Sequence, residues 1–155
     1  MNKQTQSDTL NQETYPMLQD KYILGRKTKI DLLDFAMHGI DAKVDTGAYK
    51  NALHCSNVRV IKKGEERILA FHILDESHPR YEHREIRVKD FSKTRVVNSF
   101  GQSQRRYVIK SKIMVQGHDE VIEAEFTLAD RSTMRAPILL GRKFLRHKFI
   151  VDVAS

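Results

Sequence analysis

The sequence predicts an all-β chain with one short helix near its C-terminus, on three observations. From Lys21 onward, short runs rich in Val, Ile, Tyr and Phe alternate with turn residues, the pattern of a sandwich or barrel of short strands. At 155 residues there is room for one domain core and too little for two, so machinery that needs two lobes must come from two chains. A single cysteine excludes an intrachain disulfide framework and every multi-cysteine zinc motif, which leaves apolar burial, helped by oligomerisation, to supply stability.

Residues 1–20 are polar with no sustained apolar period and read as a flexible N-terminal arm ahead of a domain at 21–155. Within that domain, strands are predicted at 22–25 and 29–33 from their short apolar runs, and at 40–45 from strict apolar/polar alternation ending at Asp45. Strands at 58–62, 67–73, 84–89, 105–115 and 121–129 follow from β-branched and aromatic enrichment. A last strand, 149–153, closes the chain. Turns are expected at His38-Gly39, Lys63-Gly64, His78-Pro79, Phe100-Gly101 and Gly117-His118. Residues 143–148 break the rhythm, because Phe144 and Leu145 sit among basic residues after Gly141 and form most simply a short helix between two strands.

The formal charge is +7, unevenly placed. Lys3 against Asp8, Glu13 and Asp20 gives the arm −2, so the domain carries +9. Such a field concentrates anionic partners, whether nucleic acid, membrane surface or acidic peptide, without choosing among them, and equally describes a soluble Lys/Arg-rich surface. The longest uncharged apolar runs, such as Ala136 to Gly141, fall far short of a spanning helix, and no apolar leader opens the chain. The reading is a cytoplasmic protein with no membrane contact.

The chemistry lies in Ala42-Lys43-Val44-Asp45-Thr46-Gly47-Ala48, a strand that ends in a carboxylate, a hydroxyl and a glycine. An aspartic peptidase must present a carboxylate on a tight loop that meets an identical loop. Glycine permits the approach, and threonine can hydrogen-bond across to lock the pair. Two carboxylates about 3 Å apart share a proton, so that one activates water while the other protonates or polarises the scissile carbonyl. By itself Asp-Thr-Gly also marks ordinary strand-to-turn exits. Ninety-six residues beyond Ala42, Ile138-Leu139-Leu140-Gly141-Arg142-Lys143-Phe144-Leu145 repeats the arrangement of apolar run, glycine, arginine and amphipathic turn.

Together with Leu24-Gly25-Arg26, Ala52-Leu53-His54, Asn98-Ser99-Phe100-Gly101 and Phe126-Thr127-Leu128-Ala129-Asp130-Arg131, these two segments resemble the retropepsin-like aspartic peptidase family of bacteria and archaea often labelled ATP-dependent zinc proteases. The resemblance covers roughly residues 22–153. It implies an acid-protease fold, a single-lobe closed barrel in which the strand ending at Leu140 and Gly141 passes behind the catalytic loop and a short helix begins at Arg142. It implies catalysis by Asp45 with Thr46 and Gly47, substrate contacts at Ala48, and an active homodimer. Members of this family are associated with ATP-grasp ligases that add glutamates to ribosomal protein or build small peptides, which implies a peptidase acting on such products. Tyr49-Lys50-Asn51 stands where Arg-Thr-Ser is expected and Cys55 where Ala is expected, departures that bear on substrate choice.

No metal or cofactor is called for: no HExxH spacing, Gly-rich phosphate loop or GxGxxG turn occurs, so an ATP requirement would belong to a partner ligase. His54 reads as a polar packing residue. Cys55 beside it cannot form a Cys/His nucleophile pair, because adjacent strand residues point to opposite faces. Asn98, Ser99, Phe100 and Gly101 are the flap candidates, since a hairpin tip over an extended peptide needs a glycine turn and polar neighbours. Arg105 and Arg106 with Lys110 and Lys112 form either a basic wall facing an acidic substrate or the solvated face of a long strand. The competing classes are an RNA- or ribosome-binding module and a catalytically silent dimeric barrel. The former lacks the aromatic stacking signature, there being no Trp, and neither needs Asp45. Ala48 offers no hydroxyl to the carboxylate, so the shared-proton state of a dyad is expected to persist to higher pH.

Overall fold

Alternating apolar and polar residues are turned into a closed ring of strands in the computed structural model, which describes residues 21–155; the arm read at 1–20 lies outside the described residues. In chain order the strands are β1 (Tyr22–Leu24), β2 (Lys27–Leu32), β3 (Met37–Val44), β4 (Ala52–Lys63), β5 (Glu66–Ile73), β6 (Glu85–Val88), β7 (Ser92–Val97), β8 (Ser103–Val115), β9 (Ile122–Ala129) and β10 (Ile138–Leu140), then helix α1 (Arg142–Leu145) and β11 (Phe149–Val151). The order β10-β3-β2-β8-β9-β4 returns to β10, so six strands close on themselves and leave no free edge between them. The expected all-β architecture, a closed ring of strands with one short α-helix, is what the chain forms.

Inward residues of every ring strand meet in one core. Ile30, Leu32, Ile40, Leu53, Ile109, Ile113, Phe126, Ile138 and Leu140 are fully buried, and along β3, β8 and β9 the buried positions alternate with exposed charged ones such as Asp41, Lys110, Lys112 and Glu125. Outside the ring, the far half of β4 pairs with β5, and β5 with β6, both antiparallel. Asn57, with φ 52°, sits at the register shift where β4 bends out of the ring. β1 and β11 pair in parallel as a separate two-stranded ribbon. No helix among the described residues is long and apolar enough to cross a membrane.

Three expectations need correction. Gly39 does not turn the chain: it lies inside β3 at φ 66°, with its N–H donating to Asp31 Oδ1 at 2.7 Å, and the reversal falls instead on a 3-10 turn at Leu33–Phe35 closed by Ala36 at φ 52°. β4 starts at Ala52, six residues before the predicted strand, because Ala52 to Cys55 are buried on both faces and show no alternation. β7 was not predicted at all. Its residues are largely exposed and polar, so no apolar period announces them.

Candidate active site

Asp45 is the first residue past β3, half-buried, with Thr46 and Gly47 exposed beyond it. The loop is tight for local reasons. Gly47 N–H donates to Asp45 Oδ1 at 2.9 Å, and Ala48 N–H donates to the Asp45 carbonyl at 3.2 Å. A β-carbon on Gly47 would stand 3.1 Å from that same carboxylate oxygen, so glycine keeps the approach to the acid open. The carboxylate therefore projects from a turn whose backbone already supplies one of its hydrogen bonds.

The strand ending at Leu140 and Gly141 passes behind this loop. β10 pairs parallel with β3, Leu140 opposite Val44, and antiparallel with β4, Leu139 opposite Ala52. Asp45 N–H donates to the Leu140 carbonyl at 2.9 Å, Arg142 N–H to the Ala48 carbonyl at 2.8 Å, and Lys143 N–H to the Tyr49 carbonyl at 2.9 Å. The Arg142 guanidinium reaches back across the loop to the Thr46 carbonyl at 3.0 Å and lies 5.7 Å from the centre of the Tyr49 ring. Gly141 is where the two segments touch: a β-carbon there would stand 2.6 Å from the Tyr49 carbonyl oxygen and 2.7 Å from that of Lys50.

Asn51 joins these parts and was not anticipated as a structural residue. Buried, it accepts the Gly141 N–H on Oδ1 at 2.9 Å and donates from Nδ2 to the Glu125 carbonyl at 2.9 Å, while its own carbonyl takes Thr127 Oγ1 at 2.8 Å. One residue thus ties the exit of the Asp45 loop, β9 and the start of α1. Only its place among the departures from the expected Arg-Thr-Ser pointed to it.

The hairpin of β7 and β8 carries the predicted flap residues at its tip. Asn98 Oδ1 accepts the N–H groups of Phe100 and Gln102 at 2.9 and 3.0 Å, Gly101 turns at φ 79°, and Phe100 is 86% exposed. The stem is tied to the Asp45 loop by Lys50, whose ammonium donates to Thr94 Oγ1 and to the Arg95 carbonyl, the latter at 3.3 Å. On the neighbouring strand, Arg106 is half-buried. Burial lowers the pKa of both Arg106 and Arg131, and Arg131 is further depressed by Arg106 and raised by Asp45, which marks a cationic side to the acid's surroundings.

His54 and Cys55 take no part in the Asp45 loop. His54 is buried, hydrogen-bonded through Nε2 to Asp75 and accepting the Arg131 N–H on Nδ1 at 2.8 Å, so the ring is the Nε2–H tautomer that donates to the carboxylate. Asp75 is held down to about 2 by the Ser77 hydroxyl, then by His54 and the Ser77 N–H. The Cys55 thiol is fully buried on the opposite face, and desolvation pushes its pKa well up. Among the described residues no three His, Cys, Asp or Glu side chains converge as a metal site.

Comparison with known proteins places this geometry. The model of a family described as retropepsin-like aspartic endopeptidase RimB matches residues 23–155. A probable alpha-L-glutamate ligase of Shewanella halifaxensis is 33% identical over 140 residues, covering 88% of this chain and 29% of the relative. A probable alpha-L-glutamate ligase of Desulfotalea psychrophila is 28% identical over 138 residues, 86% of this chain and 28% of that one. The chain thus spans less than a third of the curated relatives it matches. The crystal structure of Lpg0085 from Legionella pneumophila, a protein with unknown function, superposes with a TM-score of 0.65 at 25% identity, over 86% of this chain and 94% of that one.

Proposed function

The chain belongs to the RimB-like family of retropepsin-like aspartic endopeptidases, and on that premise we propose that it is an aspartic peptidase, active as a homodimer, that hydrolyses peptide or isopeptide bonds in glutamate-rich products of an ATP-grasp ligase. The observation that carries this reading is Asp45 on its glycine loop, held by hydrogen bonds from Leu140 and Arg142, the latter 96 residues beyond Thr46. Nothing in a merely structural barrel requires a half-buried acid at that point.

A dimer follows from the count of acids. One chain presents one Asp-Thr-Gly, which is half of a dyad, and the exposure of Thr46 and Gly47 leaves the loop open to a twin. The β1/β11 ribbon supports the same reading, because among the described residues this two-stranded sheet has both outer edges unpaired, here with Ile23 65% exposed. In the pair, one Asp45 carboxylate takes the proton of an attacking water as the other gives a proton to the carbonyl oxygen of the bond. The tetrahedral intermediate then collapses as the leaving nitrogen is protonated.

The basic domain and the ligase names of the relatives support an acidic product as substrate. The test is hydrolysis of a peptide ending in a run of glutamates by the wild type and by Asp45→Asn, with sedimentation showing both as dimers. Asparagine is isosteric but cannot act as general base, so a loss of at least about 100-fold is expected. An active Asp45→Asn protein that dialysis against a chelator silences would overturn the reading in favour of a metal peptidase, and full activity in a monomer would overturn the dyad.

A further inference from the structure

A second feature lies beside the catalytic loop, on the outer side of the flap stem. A cavity of about 410 Å³, within the roughly 300–1,000 Å³ of small-ligand sites, opens where Lys50 and Asn51 leave the Asp45 loop. Its walls come from β7, β8, β9 and α1. Four lysines line it, Lys50, Lys93, Lys110 and Lys143, against two carboxylates, Glu123 and Glu125.

These charges do not cancel. The one ion pair within the set is Lys143 to Glu125 at 3.7 Å, and Lys110 lies opposite the same Glu125 in the β8–β9 register. Lys50 is held by neutral oxygens, the Thr94 hydroxyl and the Arg95 carbonyl, so its position is fixed while its charge stays unanswered. Among the described residues neither Lys50 nor Lys110 has an ion-pair partner within 4.0 Å. A concave site with a surplus of oriented ammonium groups fits carboxylates. Along one face of β8 the alternate residues Arg106, Val108 and Lys110 run from the flap toward this cavity, so the cationic side noted near Asp45 continues into it.

We propose that this cavity is an anionic subsite that holds the carboxylate of a glutamate several residues away from the bond presented to Asp45, so that the protein measures the length of an acidic tail. The proposal rests on the peptidase reading for the identity of its occupant, and Lys110 is its specificity-determining residue. Lys50 positions the flap stem, and Lys110 and Lys143 face the tail. Shorter tails reach Asp45 without reaching Lys110. Longer ones engage both.

The test separates binding from cleavage. Fluorescently labelled glutamate oligomers of two and six residues are titrated at low salt against Asp45→Asn protein, alone and combined with Lys110→Glu or Lys110→Arg, and the same Lys110 variants in the Asp45 background are assayed for hydrolysis. The six-residue oligomer is expected to bind at least tenfold more tightly than the two-residue one, Lys110→Glu is expected to erase that difference, and Lys110→Arg is expected to keep it. Thermal melting checks that the exposed Lys110 substitutions leave the fold intact. A length preference unchanged by Lys110→Glu overturns the subsite even if every oligomer is cleaved. A Lys110-dependent preference without any hydrolysis overturns the peptidase reading and leaves the subsite standing. Tighter, Lys110-dependent binding of a labelled RNA oligomer than of the six-residue glutamate overturns the assignment of a peptide tail.

Discussion

Replacing Gly141 with alanine strikes the contact that aims Asp45 without touching the acid. The added methyl would stand 2.6 and 2.7 Å from the carbonyl oxygens of Tyr49 and Lys50, closer than β-carbons approach backbone, so the loop must retreat by several tenths of an ångström. Overpacking of this kind costs about 1–3 kcal/mol. The retreat also strains the buried Gly141 N–H to Asn51 Oδ1 bond, 2.9 Å long, and leaving such a pair unmade costs about 1–3 kcal/mol more. The sum, about 2–6 kcal/mol, corresponds to a fall in Tm of roughly 8–24 °C for a domain of this size. Urea denaturation followed by circular dichroism measures it, with Gly101→Ala as the comparison. Gly101 has open space around it and φ 79°, so alanine there costs only left-handed backbone strain, about 1–2 kcal/mol. A Gly141→Ala protein destabilised no more than Gly101→Ala would refute the clamp.

Acid sensitivity follows from Asp75. Its folded pKa of about 2 lies below the unfolded value, so its contribution to stability is present above about pH 4 and is lost as pH falls toward 2. Asp75→Asn should flatten the acid limb of a stability–pH curve in that window, and an unchanged limb would refute the assignment. Cys55 should resist alkylation in the native protein and react promptly in denaturant, because burial holds it as the neutral thiol. Mass spectrometry after brief iodoacetamide exposure reads this directly, and rapid native labelling would show that β4 opens.

Much of the site was legible because its parts are local. Asp45 ends an alternating strand, Gly47 follows two residues later, and the apolar run into Gly141 announces the strand behind it, all within short windows. What was illegible depends on tertiary partners. Asn51 owes its role to Gly141, Glu125 and Thr127, between 74 and 90 residues away, and a lone asparagine has no local signature for that. The His54–Asp75 pair likewise spans 21 residues across two strands. Gly39 misled because a positive φ serves a distortion within a strand as well as a turn. The hairpin tip was visible from Asn98 to Gly101, yet its first strand was not, since a hairpin arm reaching into solvent buries too little to carry a period.

The threading of β10 between β3 and β4 also orders events in time. Asp45 leaves β3 early in synthesis, but the carbonyl and guanidinium that hold its loop belong to Leu140 and Arg142, the latter 96 residues after Thr46. At about 5–20 residues per second the ribosome needs roughly 5–20 s to deliver them. Until then the ring is open, and closing it requires a long-range strand insertion of the kind that slows folding. The carboxylate therefore acquires its hydrogen-bonded setting late, after Leu140 and Arg142 have emerged. A nascent chain carries the acid before the clamp that holds its loop.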